Sequence, residues 1–407
     1  QKMTCIKKRC TYLPIELVDI IKYYVIYQPQ TKEELKKVVK QWVTNKEVTK
    51  KKYGHISLWD TSKINDMSYL FENYNVIYCF NTEILVNRYF NENINNWDVS
   101  NVINMEGMFK NCTYFNQPLN FWNTSKVINM DSMFSNCQSF NQSINDWDVS
   151  NVTTTKNIFT YCTNFNQPLN NWNTINVINM KSMFNECTDF NQPLNNWNTS
   201  NVTNMKSMFA ECIKFNQPLN NWNTNNVLSM KTMFYDCINF NQSLSKWNIS
   251  NVKTMECMFV GCKNFNKSIN QWNTINVNNM HAMFSYCTTF NQPLNKWNVS
   301  NVINMCSMFN ECTNFNQSLN KWDVSNVQTM ENMFAECRKF NKALNKWNVL
   351  NVRNMRFMFS FSKNFNQSIN EWNVSNELNS TRMFEYNTKM QHHINNINKI
   401  GLSDDDD

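Results

Sequence analysis

Four histidines, fifteen cysteines and thirty-one carboxylates are the residues of this chain that could hold a metal ion or move a proton. None falls into a spacing that does either. His55, His281, His392 and His393 are not placed with cysteine or carboxylate as a zinc site requires. Cys5 and Cys10 are isolated from any partner, and Cys257 with Cys262 is not a Cys-x-x-Cys pair. Asp98, Asp148 and Asp323 each follow a tryptophan where most copies of the same segment carry Asn, so they are scattered replacements rather than a paired acid and base. Four glycines in 407 residues leave no loop able to cradle a phosphate. The expectation is a non-enzymatic protein with no cofactor and no metal.

What the residues do form is a repeat. Trp97, Trp122, Trp147, Trp172, Trp197, Trp222, Trp247, Trp272, Trp297, Trp322, Trp347 and Trp372 recur every 25 residues without a slip. A single unit of that length cannot bury its own apolar face, so an unbroken period of this size implies a solenoid of stacked units. Ten cysteines share one place in the unit, four residues after the second Met (Ile158 once), from Cys112 to Cys337. Stacked coils would set them about 5 Å apart, so pairing is sterically open, but a ladder of small buried thiols fits the apolar pattern and a reducing compartment. Charge is unevenly placed. Residues 1–53 hold 13 Lys/Arg against 5 Asp/Glu; of the totals of 38 and 31, that leaves 25 against 26 for the array. A near-neutral array argues against a long phosphate-binding groove, so no nucleic-acid partner is expected.

Within a unit, Trp122 and Thr124 alternate with polar residues, which reads as a short strand with one buried face. Met130, Met133, Phe134 and Cys137 follow at spacings of three and four, which read as a short helix. Asn176, Asn201 and their equivalents before the buried Val read as hydrogen-bonded ladders, as do Asn116, Asn141 and theirs after the buried Phe. The fold class expected is α/β: a right-handed, leucine-rich-repeat-like solenoid of about thirteen strand–helix coils behind an N-terminal helical cap. Residues 1–56 form the basic cap, with one helix from Leu13-Pro14 and a second starting at Thr31, whose spacing to Glu34 suits a capping box. Residues 57–89 hold the first coil and an insertion, 90–376 the regular array, 377–400 a degenerate capping repeat, and 401–407 a disordered acidic tail. The stretch Leu13–Tyr27 is too short and too charged to span a bilayer.

The unit W-[ND]-[VT]-S-N-V-x-N-M-x-x-M-F-x-x-C-x-x-F-N-Q-x-[LI]-N resembles the BspA-like leucine-rich-repeat surface protein family, known from bacterial surface lipoproteins and large DNA viruses. The match runs over about residues 31–397, and residues 31–71 look like the leader that precedes the first repeat in that family. The resemblance implies a leucine-rich-repeat-like solenoid and no catalytic residues. Two departures, the regular cysteine and the lack of a lipoprotein leader, favour an intracellular location (host cytoplasm or virion) over a cell surface. Leu13-Pro14-Ile15-Glu16-Leu17-Val18 also looks like the opening of an F-box, which would make the chain a ubiquitin-ligase adaptor.

A protein partner is expected on the polar strand face, since solenoids bind along extended concave surfaces. Two candidate contact sites stand out. Lys246, Lys296, Lys321 and Lys346 precede the Trp of later coils, where earlier coils carry Asn or Asp; they form a basic stripe suited to an acidic protein partner, or a solvated edge. Tyr74, Tyr78, Phe80 and Tyr89 crowd the insertion between Phe71 and Phe90, as a contact site or as extra capping. Lateral packing of a structural or surface component, with self-association, is the rival to partner binding.

Overall fold

The interval of 25 residues places one residue of every unit in parallel register with its equivalent in the next. In a computed structural model that describes residues 26–71, 75–79 and 82–390, twelve successive parallel bridges run Asp66–Asn104–Asn129–Thr154 and onward to Asn379. They link thirteen coils, numbered here by their tryptophans from Trp59 (coil 1) and Trp97 (coil 2) to Trp372 (coil 13). Positions within a coil are counted from that Trp. The chain is a tandem-repeat solenoid.

The coil is not a strand and a helix. The parallel ladder lies at positions 7 and 8, beyond the Trp–Val segment expected to be the strand, and no α-helix occurs among the described residues from Trp97 to Asn387. The expected helix is replaced by overlapping tight turns. In coil 3 the amides of Met133, Ser135 and Cys137 donate to the carbonyls three residues back, at 3.2, 3.0 and 2.9 Å. The alternate amides point out of the coil: Met130, Ser132, Phe134 and Asn136 donate to Thr154, Lys156, Ile158 and Thr160 of coil 4, at 3.3, 2.8, 2.9 and 2.7 Å. Ser132 and Asn136 have φ of 57° and 62°, and nearly every coil repeats that left-handed pair. A left-handed residue at every fourth place cannot continue an α-helix, whose amides must reach back four residues. Each such residue costs about 1–2 kcal/mol, offset here by hydrogen bonds to the neighbouring coil. Gly261 takes one of these places (φ 69°), and a Cβ there would come within 1.8 Å of the Asp236 carboxylate.

Spacings of three and four still direct the apolar side chains to one side, so the core is the one the pattern predicts. In coil 6, Trp197, Val202, Met205, Met208, Phe209, Cys212, Phe215 and Leu219 are all buried. Rings stack from coil to coil with little rotation: Phe209 on Phe234 at 5.7 Å and 8°, Phe215 on Phe240 at 6.1 Å and 6°, Trp197 on Trp222 at 6.3 Å and 3°. From Trp122 onward each indole N–H donates to the Leu or Ile carbonyl 28 residues earlier, as from Trp222 to Leu194 at 2.9 Å.

Two helices close the first coil. Helix α1 (Lys32–Thr44) is capped by Thr31, whose hydroxyl accepts from the Glu34 amide at 3.1 Å, and it buries Leu35, Val38, Val39 and Trp42. Asn45 ends it and its side chain caps α2 (Lys46–Tyr53), so the expected single helix is two. Gly54, at φ 76°, ends α2. Trp42 and Tyr27 pack edge-on against Trp59 at 5.8 and 5.5 Å, and Lys32 pairs with Asp66 of coil 1 at 2.9 Å. The expected helix from Leu13 lies outside the described residues, as does the tail beyond Met390. The insertion after coil 1 is an antiparallel hairpin of β1 (Asn75–Cys79) and β2 (Thr82–Leu85), followed by a 3-10 turn at Val86–Tyr89.

Candidate functional site

Stacking turns each position of the unit into a row along the solenoid, and the rows differ sharply in chemistry. The asparagine rows hold backbone. The side-chain oxygen of Asn216 accepts from the Asn241 amide at 2.9 Å and from the Gln242 side chain at 3.0 Å, and the same pair of bonds recurs along most of the array. Asn201 donates to the Ile175 carbonyl of the coil before at 2.8 Å, a bond repeated by its equivalents. These rows are occupied in holding turns together.

The cysteine row is equally internal. The thiols of Cys137 to Cys337 donate to the Phe carbonyl of the previous coil at 2.8–3.0 Å, and in coil 12 the hydroxyl of Ser362 takes over that bond to Phe334. All are free thiols, and burial pushes each well above the ordinary cysteine range. Cys257 and Cys306 stand outside this row and are only half-buried. Burial, then the Glu256 carboxylate, push the Cys257 thiol up to about 11, against the opposing pull of Lys231. His281 lies between them in sequence and places Nδ1 3.1 Å from the Cys306 carbonyl oxygen, but among the described residues no three such groups are arranged to hold a metal ion.

Lys246, Lys296, Lys321 and Lys346 are exposed and form the expected row. It does not lie on the ladder. It follows the turn that precedes each Trp, such as Leu244–Trp247, whose closing bond is 3.1 Å. The backbone there is fixed: the amides of Lys246, Lys296 and Lys346 donate to Asn220, Asn270 and Asn320 of the coils before, at 2.9, 3.0 and 3.0 Å. Lys296 reaches the Gln271 side chain at 3.3 Å, and none of the four forms an ion pair with a described residue. Of the insertion aromatics, Tyr74 and Phe80 lie outside the described residues, and Tyr78 pairs with Glu83 in the hairpin. Tyr89 is 59% exposed and stacks on Tyr114 of the array at 5.4 Å, with the Arg88 guanidinium 5.3 and 5.7 Å from the two rings.

In coils 2 to 7 the strand face departs from the expected polar stripes, whereas position 7 is polar in coils 8, 9, 11 and 12 (Lys253, Asn278, Gln328 and Arg353). At position 7, where each amide donates to the carbonyl of the coil before (Ile178 to Thr153 and Leu228 to Thr203, both 2.9 Å), the exposed side chains are Ile103, Ile128, Ile178 and Leu228, with Thr153 and Thr203 between them. Three places on, at position 10, comes a charged row: Glu106, Asp131, then Lys156, Lys181, Lys206 and Lys231, then Glu256. Its carboxylates lie over the ladder, since Glu106 accepts from the Asn129 side chain at 3.2 Å and Asp131 from Thr154 at 2.5 Å. Burial pushes the Asp131 carboxyl up, only partly opposed by its hydrogen bonds and Lys156. Both rows were in the sequence as Ile/Thr/Leu and Lys at intervals of 25, but a strand assigned to the Trp–Val segment assigns them no common face. A third row, Glu186, Glu211 and Asp236, brings like charges together at position 15; Glu211 is pushed up by burial, then by both neighbours.

The family model described as "Mycoplasma protein of unknown function, DUF285" matches five overlapping spans: residues 33–168, 81–197, 156–261, 229–343 and 293–397. The chain belongs to the DUF285 family. The five matches cover α1, α2 and the array, so this DUF285 chain is one run of the family's repeat. No curated protein matches it. Among solved structures it is similar to that titled "Crystal structure of TLR13-ssRNA13 complex", at 12% identity and a TM-score of 0.19, over 72% of this chain and 53% of that one. The chain thus spans about half the length of that protein, and a likeness so loose bears on neither fold nor ligand. Among the described residues of this DUF285 chain, no helix is long and apolar enough to cross a membrane.

Proposed function

We propose that the chain is a non-catalytic repeat scaffold, a right-handed solenoid of the BspA-like kind, that binds an acidic segment of another protein along Lys246, Lys296, Lys321 and Lys346. The observation that carries this reading is a row of exposed ammonium groups on a backbone held at Lys246, Lys296 and Lys346 by Asn220, Asn270 and Asn320. Four coil steps of about 4.8 Å give a basic line of about 19 Å, the reach of a six-residue extended segment. Fixing the backbone lowers the ordering cost of binding, while charge complementarity supplies encounter rate and specificity. Free buried thiols suit a reducing compartment, so the host cytoplasm or a virion is the proposed setting, with the cell surface as the alternative. The F-box reading rests on Leu13–Val18, which lie outside the described residues.

The test is capture from cell lysate by the intact chain beside a variant with all four lysines changed to Glu, with circular dichroism on both. The scaffold reading requires a partner that the intact chain retains at low salt and the variant loses. Equal recovery by both proteins removes the lysine row from the function.

A further inference from the structure

The position-7 row is what the fold leaves uncovered on its ladder. Ile103, Ile128, Ile178 and Leu228 are 44%, 45%, 48% and 52% exposed. The hydroxyls of Thr153 and Thr203 turn to the carbonyls of the preceding coil at 3.4 Å, so even the polar members of the row direct their donors into the face. The row runs from coil 2 to coil 7, about 24 Å at 4.8 Å per step, and ends at Lys253 in coil 8.

We propose that this face is the contact between two copies of the chain, packed ladder against ladder with axes antiparallel about a twofold axis between coils 4 and 5. Three observations support a second copy over another protein. The first is period. Side chains recur once per coil, about every 4.8 Å, whereas an extended peptide laid along the axis offers one side chain per face about every 6.7 Å. A second ladder matches at every coil. The second is the small turn per coil. Successive rings in this region rotate by 3–13° (Phe134 on Phe159, Phe159 on Phe184, Phe184 on Phe209), so two such faces diverge little over the two or three coils on either side of the axis.

The third is charge. A twofold axis lying across the ladder, between coils 4 and 5, sets coil 2 against coil 7 and coil 3 against coil 6, and it keeps position 7 against position 7 and position 10 against position 10. Ile103 then meets Leu228, Ile128 meets Thr203 and Thr153 meets Ile178. In the charged row Asp131 meets Lys206 and Glu106 meets Lys231, each twice; within its own chain Lys231 also pairs with Glu256 at 2.7 Å, so Glu106 would join or replace that partner. Only Lys156 and Lys181, beside the axis, face a like charge, and their length lets them splay to solvent. The same register thus centres the apolar row and sets opposite charges together in coils 2, 3, 6 and 7, leaving Glu256 opposite Ser68. The face is small for an obligate dimer, so association is weak and concentration-dependent.

Sedimentation equilibrium on the full chain, from about 1 to 300 μM, tests the pairing. The wild type should pass from monomer to dimer, and Ile178→Lys should raise the dimer dissociation constant at least about tenfold. Glu106→Lys and Lys231→Glu should each fail to self-associate, because each puts like charges together twice. Mixed with one another they should form a heterodimer, because both pairs are then complementary; that rescue cannot come from a misfolded variant. A wild type monomeric throughout, an Ile178→Lys chain that dimerises as the wild type does, or a mixture no better than its components overturns the proposal.

Discussion

Replacing Asn216 by Ala tests whether the asparagine row stabilises the stack by accepting hydrogen bonds. Its Oδ1 receives the Asn241 amide at 2.9 Å and the Gln242 side chain at 3.0 Å, while Gln242 keeps a second acceptor, the Asn216 carbonyl, also at 3.0 Å. Truncation therefore orphans one half-buried backbone donor and removes one of two bonds from a side chain. An orphaned donor costs about 1–3 kcal/mol when fully buried and a replaceable bond about 0.5–1, which together give about 2 kcal/mol at this half-buried site. Asn216→Asp keeps the acceptor and should lie within about 0.5 kcal/mol of wild type. In a solenoid the loss falls on one interface, between coils 6 and 7. Native-state hydrogen exchange at the Asn241 amide should thus quicken about thirtyfold in the Ala variant, with a matching fall in the urea midpoint. Equal effects of Ala and Asp would refute the reasoning, since they would make the residue matter for its turn preference and not for its oxygen.

Three further outcomes follow from the rows. Cys312→Ser should stay within about 1 kcal/mol of wild type, because Ser362 already makes the equivalent bond to Phe334, whereas Cys312→Val should cost about 1–3 kcal/mol by overpacking; thermal melts compare them. Alkylation mapped by mass spectrometry should label Cys257 and leave Cys137, Cys212 and Cys287 untouched in the native protein, and the Cys257 rate should climb about tenfold per pH unit until pH nears about 11. Glu211→Gln should raise the melting temperature by about a degree at neutral pH. Burial, Glu186 and Asp236 hold the folded carboxyl above its unfolded value, so its ionisation opposes folding above that range; the gain should fade as pH falls below the ordinary glutamate range.

The core was legible because it depends on which side of the chain a residue falls, and a spacing of three and four answers that whether the backbone is helical or not. Met205, Met208, Phe209 and Cys212 are buried as their intervals predict, though no helix carries them. The backbone was illegible for the same reason. Left-handed geometry falls on Ser207 and Glu211, residue types with no marked preference for it, and only scattered Gly, Asn and Asp (Gly107, Asn111, Asn136, Asn157, Asp236, Gly261 and Asn332) advertise it. What imposes it is the neighbouring coil, through bonds such as Ser207 to Lys231 at 2.9 Å and Glu211 to Tyr235 at 2.6 Å.

Candidate faces depend on that backbone, so the error passed to them unevenly. The Lys246–Lys346 row survives as a row because any stacking in register produces it, but its place on the ladder depended on where the strand was put. The position-7 and position-10 rows share a face only once the ladder is known to run through Asn129 and Thr154, because Glu106 and Asp131 are then seen bonding across it. A period fixes which residues stack, and the direction of the backbone amides decides which stacks are neighbours. That second fact is set by the contact between coils, and no single unit of 25 residues contains it.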